Sequence, residues 1–381
     1  MRDTLNRRLS KQIDESILAR ELRQLRIIDA RNPSVINLAS NDYLNLAKHP
    51  RVIQAAREAA LQFGTSSSGS PVVTSYFSIH KELEQTMCSW IGFEECMIWT
   101  SGFTANKSIL ETILSKEDIV ICDRLVHYSA LKGVTESGAR LIRYQHCDIE
   151  HLESLLKKYS SQNRLLFVIT ESLFSMDGDY PDLLAIAKLK LLYPFIWVLD
   201  EAHALGWYGP KGNGLAAHFR VTEHVDILIA TLGKSLASQG AVSLFHDSKI
   251  KDYLINYSKE FIYSTYPAPP CIAAANETAK LISTELYIDQ ILWHNKSFLL
   301  KKKLGECFPD IIQNESPIVP IILGDNDVTM HAQEKLNKKG ILVGAIRPPS
   351  VPEGSSRLRL SLHRDIDETV VASGIIQALD L

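Results

Sequence analysis

The chain has 381 residues, 45% of them hydrophobic and 22% charged, with a net charge of −3. This length allows a large core and two domains, and the charge offers no basic face for nucleic acid. Six scattered cysteines form no CxxC pair for zinc or a disulfide framework, and no apolar stretch is long enough to cross a bilayer. The first residues, Met1-Arg2-Asp3-Thr4-Leu5-Asn6-Arg7-Arg8, lack the apolar region of a secretory leader. Free thiols suit a reducing compartment, so a cytoplasmic location is expected.

Apolar positions at Ile13, Ile17, Leu18, Leu22 and Leu25 predict an amphipathic helix over 5 to about 29. A short strand over 36–40 and a turn over 41–45 come next. From about 50 to 264, strand and helix alternate. Strands are expected over 96–99, 119–122, 141–144, 165–169, 195–199, 227–230 and 241–245, with helical patterns such as 149–159 and 183–192 between them. Alternation of this kind predicts an α/β fold, with a mostly parallel sheet covered on both faces. After Pro267-Ala268-Pro269-Pro270 the pattern changes. A helical stretch over 271 to about 304 leads to strands over 318–322, 341–344 and 357–361, with helices near 328–339 and 366–379. The expected organisation is an N-terminal segment 1–45, a large α/β domain 46–270 and a small α+β C-terminal domain 271–381.

Asp200, in Val198-Leu199-Asp200-Glu201-Ala202-His203, closes an apolar run. The carboxyl end of a buried strand is the usual ligand address in open α/β sheets. A buried carboxylate needs a cationic partner, such as a protonated pyridine nitrogen, or it is a structural cap on the next turn. His203 is three residues on, so one helical turn would bring it to the same side. Lys234 comes after the apolar run 227–230, where desolvation would lower its pKa and favour imine chemistry. An amine, a carboxylate and an imidazole at one sheet edge are what a pyridoxal phosphate site needs.

Two rival readings fail on context. Gly233-Lys234-Ser235 resembles the end of a P-loop, but the first glycine of that motif would fall at Leu228. Gly212-Asn213-Gly214-Leu215-Ala216-Ala217 fits a loose dinucleotide pattern but comes after a turn instead of a strand. Ser101-Gly102-Phe103-Thr104 opens a helix after a strand and could offer amides to a phosphate, or simply cap the helix. His127, a loop histidine after the strand 119–122, could reach the edge where Asp200 sits and stack on a planar ring.

Taken together these segments resemble the α-oxoamine synthase family of fold-type I pyridoxal phosphate transferases. The resemblance runs in order through Asn41-Asp42-Tyr43-Leu44, Gly69-Ser70, His80, Leu83-Glu84, Ser101-Gly102-Phe103, the stretch from Glu171 to Asp179, Asp200 to His203, Gly233-Lys234 and Tyr263-Ser264-Thr265. Leu323-Gly324-Asp325-Asn326, Ala345 to Pro352 and Ser356 to Leu362 are similar to the branch that condenses L-alanine with a pimeloyl thioester in biotin synthesis.

The resemblance implies roles for individual residues. Lys234 would be the Schiff-base lysine and the base at the alanine Cα, and Asp200 would face the pyridine nitrogen. His203 and Ser175 would contact the cofactor, and His127 would stack on its ring and touch substrate. Gly102, Phe103 and Thr231 would hold the phosphate, and Ser264 and Thr265 would reach the phosphate of a second subunit in a homodimer. Arg359 would clamp the amino-acid carboxylate, while Ser350 and Arg23 would lie on the acyl side, with Arg20 and Arg26 close to Arg23 in sequence. The acyl carrier, coenzyme A or an acyl carrier protein, stays open, as do a sibling activity on another amino acid or acyl chain and a catalytically silent family member acting as a binding protein. Four positions depart from the family's glycines: Asn45, Ser75, Ser235 and Ala237. Such changes bear on backbone conformation and pocket width near the cofactor.

Overall fold

A computed structural model describes residues 1–25, 27–28 and 35–380. Among these residues twelve strands occur in chain order: β1 Ile36–Asn37, β2 Glu95–Trp99, β3 Ile119–Asp123, β4 Arg140–Tyr144, β5 Leu166–Glu171, β6 Ile196–Asp200, β7 Ile227–Thr231, β8 Ala241–Phe245, β9 Ile318–Gly324, β10 Ile341–Leu342, β11 Gly344–Ile346 and β12 Ser356–Ser361. The chain forms two compact units. The larger comprises residues 41–175 and 179–293, the smaller residues 1–40, 176–178 and 294–381.

The larger unit is built on a seven-stranded sheet in the order β2-β8-β7-β6-β5-β3-β4. Strands β4, β3, β5, β6 and β7 pair in parallel, and β8 alone runs against both its neighbours. The strands form where continuous apolar runs predict them, because helices cover both faces. Val120, Ile121, Val168, Trp197, Leu199, Leu228 and Ile229 are all fully buried. Parallel pairing has a functional consequence: β3, β5, β6 and β7 end at Asp123, Glu171, Asp200 and Thr231 along one edge of the sheet.

The smaller unit holds an antiparallel sheet in the order β11-β12-β9 and a parallel pair of β1 with β10. Its core gathers Leu38, Leu300, Val319, Ile321, Leu336, Leu358, Leu360 and Ile375.

Four expectations are corrected. The division at 270 falls instead after residue 293. The helix Pro269–Thr284 buries Ile272, Ala275, Ala279 and Ile282 and packs against the helices Pro50–Phe63 and Ser78–Ile91, so it belongs to the larger unit. Residues 1–40 form no separate segment, because β1 adds to β10 and Leu38 enters the small core. The helical stretch expected over 271–304 is two helices, Pro269–Thr284 and Gln290–Gly305, broken where Glu285 leaves helical geometry at φ −124° and ψ −59°. The N-terminal helix spans Arg2–Leu18 and is ended by Arg20, which takes a left-handed φ of +56°. Leu22 and Leu25 lie outside it, and its expected end near Asp29 lies outside the described residues.

Candidate active site

Asp200 is the last residue of β6 and sits half-buried at the carboxyl edge. One carboxylate oxygen accepts the Ala202 N–H at 2.9 Å and the other accepts the Asn106 side-chain amide at 2.7 Å. The turn-capping role is therefore present, and the second bond helps aim the carboxylate at the edge of the sheet. Asn106 is buried on the helix Gly102–Ile113.

That helix begins at Gly102, after Ser101, whose hydroxyl caps it by accepting the Thr104 N–H at 3.1 Å. The cap leaves the amides of Gly102 and Phe103 outside the helical ladder, at the positive end of the dipole. A Cβ on Gly102 would lie 2.6 Å from Cγ2 of Thr231, so only glycine lets the helix N-terminus approach the end of β7 this closely. Phe103 projects from the same turn and stands edge-on to His127, with ring centroids 6.4 Å apart.

His127 caps the helix Tyr128–Ser137. Its backbone N–H donates to Glu171 Oε1 at 2.7 Å, and its Nδ1 lies 2.7 Å from Ser129 Oγ. Burial lowers its pKa, Asp200's charge opposes that and Lys234's charge reinforces it, so the ring stays neutral near pH 7. Those two influences also place Asp200, His127 and Lys234 in one electrostatic neighbourhood. Glu171 is buried at the end of β5, directly across from Asp200 in the register. Burial first, then the charge of Asp200, pushes its carboxyl well above the usual range.

Lys234 is half-buried in a turn closed by two backbone bonds, Leu232 N–H to Gly240 O at 2.9 Å and Ser238 N–H to Leu232 O at 2.8 Å. His203 is buried and held by Tyr43, whose Oη lies 2.6 Å from its Nδ1. Ser175 is half-buried in the loop after β5. Ser264 is half-buried and Thr265 exposed, in extended chain after the helix Lys259–Tyr263. Just beyond them, the Pro267 carbonyl accepts from the Ser67 hydroxyl at 2.8 Å and lies 2.9 Å from His80 Nε2.

In the smaller unit Arg359 is buried on β12 and donates from Nη1 to Ser361 Oγ at 2.6 Å. Arg23 donates to Ser350 Oγ at 3.2 Å, so the two residues expected on the acyl side meet. Arg20 instead pairs with Asp327 at 2.9 Å, and Arg26 lies outside the described residues. Arg20, Arg23 and Arg347 line a cavity of about 1600 Å³ in this unit.

Three residues of the site carry no role that sequence alone assigns: Asn106, Glu171 and Tyr43. Tyr43 and Glu171 lie inside segments that bear the family resemblance, but their partners stand 160 and 44 residues away along the chain. Asn106 carries no local signal. Of the four departures, Asn45 and Ala237 adopt left-handed φ values of +52° and +51°. Ser75 is buried and donates to the Ser67 carbonyl at 2.6 Å. Ser235 is buried against Gly206, where an added Cβ would come within 2.4 Å of its own Cβ.

Residues 33–373 match the family described as aminotransferase class I and II. A putative 8-amino-7-oxononanoate synthase of Acetivibrio thermocellus is 36% identical, covering 92% of this chain and 91% of that protein. The 8-amino-7-oxononanoate synthase of Vibrio cholerae is 34% identical, over 93% of this chain and 92% of that protein. Among solved structures, 8-amino-7-oxononanoate synthase from Francisella tularensis superposes with a TM-score of 0.77 at 27% identity, covering 92% of this chain and 97% of that one. A serine palmitoyltransferase from S. paucimobilis, with a pyridoxal phosphate–myriocin adduct bound, gives a TM-score of 0.90 at 22% identity, over 97% of this chain and 96% of that one, which is a likeness of fold.

Proposed function

We propose that this chain, which belongs to the aminotransferase class I and II family and within it to the α-oxoamine synthases, is an 8-amino-7-oxononanoate synthase. It condenses L-alanine with a pimeloyl thioester and releases carbon dioxide and the free thiol. The observation that carries this reading is the 34–38% identity to synthases of that name over about nine-tenths of the chain. No helix among the described residues is long and apolar enough to cross a membrane.

The residues present fit pyridoxal phosphate. The Gly102 cradle, which a Cβ would fill, faces Thr231 at the positive end of a helix and suits a phosphate. Asp200, aimed by Asn106 and Ala202, suits a protonated ring nitrogen. When bound, the cofactor supplies an electron sink for charge developing at the substrate Cα.

The remaining work falls to the protein. The Lys234 amine takes the proton from alanine Cα and returns one to the product carbon. Neutral His127 offers a flat, uncharged face, which leaves the negative charge in the site to Asp200. Tyr43 holds the His203 ring through Nδ1 and so sets its orientation, and His203 and Ser175 contact the cofactor. Arg359 binds the alanine carboxylate until it leaves as carbon dioxide, a task suited to a forked guanidinium. Arg23 and Ser350 receive the acyl chain, and Ser264 and Thr265 serve the site of a second copy in a homodimer.

The test is a product assay on purified protein with added cofactor, L-alanine, and pimeloyl groups carried by coenzyme A or by an acyl carrier protein. The expected result is 8-amino-7-oxononanoate with an equivalent of carbon dioxide from at least one carrier. Turnover with glycine or serine but none with alanine would overturn the assignment.

A further inference from the structure

His146, which has no part in the proposed chemistry, comes after β4 and lies between two carboxylates. Its Nδ1 is 2.9 Å from Asp123 Oδ1 and its Nε2 is 2.9 Å from Asp179 Oδ2. The edge of Phe174 closes the third side, with ring centroids 4.4 Å apart and planes at 89°.

Each aspartate organises a segment that carries a site residue, Asp123 through side chain and carbonyl and Asp179 through its carbonyl. Asp123 ends β3 and is fully buried. Its Oδ1 also accepts the Leu125 N–H at 2.8 Å, and its carbonyl accepts the Val126 N–H at 3.3 Å. These bonds fold the turn that delivers His127. Asp179 accepts the Phe174 N–H on its carbonyl at 2.9 Å, which closes the loop containing Ser175. Asp123 Oδ2 takes the Cys147 N–H at 2.8 Å and so fixes the backbone next to His146 itself.

We infer that His146 is a positioning residue, an imidazolium clamp that ties the His127 turn to the Ser175 loop and sets both against the cofactor. Both ring nitrogens can donate at once only if the ring carries its proton. Burial opposes that charge, but the hydrogen bonds to Asp123 and Asp179 outweigh it and hold the pKa up at about 12. The ring is therefore a fixed cation across the working pH range, with no part in proton transfer. The same geometry disfavours a metal reading of the Asp123, His146 and Cys147 cluster. With both nitrogens committed to carboxylates, the imidazole has no open lone pair for a cation.

The inference rests on the proposed cofactor roles of His127 and Ser175, but its main test needs no substrate. Holoenzyme carrying His146→Gln is compared with wild type by the visible circular dichroism of the bound cofactor, cofactor content, melting and kinetics. Asp179→Asn, which keeps the side chain's shape, is the milder second variant. Both are expected to hold cofactor and fold, yet show an altered cofactor dichroism. The kcat of His146→Gln should fall about 10-fold to 100-fold, the range for misplacing site groups by up to an ångström. KM for alanine should change by less than about threefold, because a loss confined to kcat marks alignment, not uniform binding. Ser175→Ala and His146→Gln should combine less than multiplicatively, as residues acting through one loop do. Unchanged dichroism and kcat with only a lower melting temperature would reduce His146 to a structural role. A kcat loss in strict proportion to lost cofactor would do the same. A wild type that turns over no alanine would sink the functional assignment while leaving the dichroism test of His146 standing.

Discussion

Ala237 is the most economical place to test how the lysine turn is built. It has a left-handed φ of +51°, and its N–H donates to the Lys234 carbonyl at 2.8 Å. An L-residue with a Cβ costs about 1–2 kcal/mol in this region. Glycine removes that strain but loses about 0.4–1 kcal/mol through the freer unfolded chain. Ala237→Gly should therefore stabilise the larger unit by about 0.5–1 kcal/mol, which for a unit of that size is a rise of roughly 1–4 °C in Tm. Asn45 supplies the internal control, with nearly the same φ of +52°. Asparagine tolerates this conformation far better than alanine, so Asn45→Gly should move Tm little or slightly downward. Calorimetry on the two single variants decides it. If Ala237→Gly is no more stable than wild type, or if Asn45→Gly gains as much, φ strain is not what distinguishes the two sites.

Three further outcomes concern Glu171, Lys301 and Arg359. Glu171 has a raised carboxyl pKa, so the unfolded chain releases its proton first as pH climbs past about 4.3, and Glu171 subtracts stability above that pH. Glu171→Gln, an isostere of the protonated acid, should melt higher at pH 7.5, change little at pH 4, and keep kcat within about threefold by steady-state assay. Lys301 is buried and donates to Asn314 Oδ1, and burial brings its pKa down to about 7. As pH falls from about 10.4 toward that value the unfolded chain takes up a proton that the fold does not, so stability declines. Lys301→Met should gain about 1–3 kcal/mol at pH 7 in urea melts and flatten the slope between pH 7 and 10, since Asn314 Oδ1 still accepts the Ser316 N–H at 3.1 Å. Arg359→Lys should raise KM for alanine about 10-fold to 100-fold, the loss of one charge-assisted bond of ~1.5–3 kcal/mol, with the cofactor's absorption band unchanged.

The sheet was legible because each central strand is a run of residues that must all be apolar, and no helix-period signal competes with such a run. The positions of Asp200, last in β6, and of Lys234, three residues past the end of β7, were legible for the same reason, since an apolar run ends just before each. What stayed hidden depends on pairing between distant segments. Asn106 aims Asp200 across 94 residues, and nothing in its own surroundings sets it apart from any helical asparagine. The domain division was misplaced because Pro267 to Pro270 looks like a linker, while the Ala-rich helix after it finds its partners at Pro50–Phe63 and Ser78–Ile91, far back in the chain.

The four non-glycine positions separate what a sequence pattern shows from what only the folded chain shows. Their identities were visible at once, but the four face different constraints. Asn45 and Ala237 are questions of φ, whereas Ser75 and Ser235 are questions of space and hydrogen bonding. Ser75 found an acceptor in the Ser67 carbonyl, so its hydroxyl is compensated. The Ser235 hydroxyl is buried with no hydrogen-bond partner among the described residues, beside a Gly206 on which a Cβ would clash with Ser235. An uncompensated buried hydroxyl costs about 1–3 kcal/mol, and Ser235→Ala deletes it without adding volume. That variant should therefore melt higher than wild type, whereas a serine kept for a structural bond would lose stability on the same change. Because Ser235 adjoins Lys234, its cofactor-binding titration carries the functional half of the question. Unchanged affinity alongside higher stability would make Ser235 a tolerated substitution for glycine, while weaker binding would show that the hydroxyl is held in reserve for the cofactor.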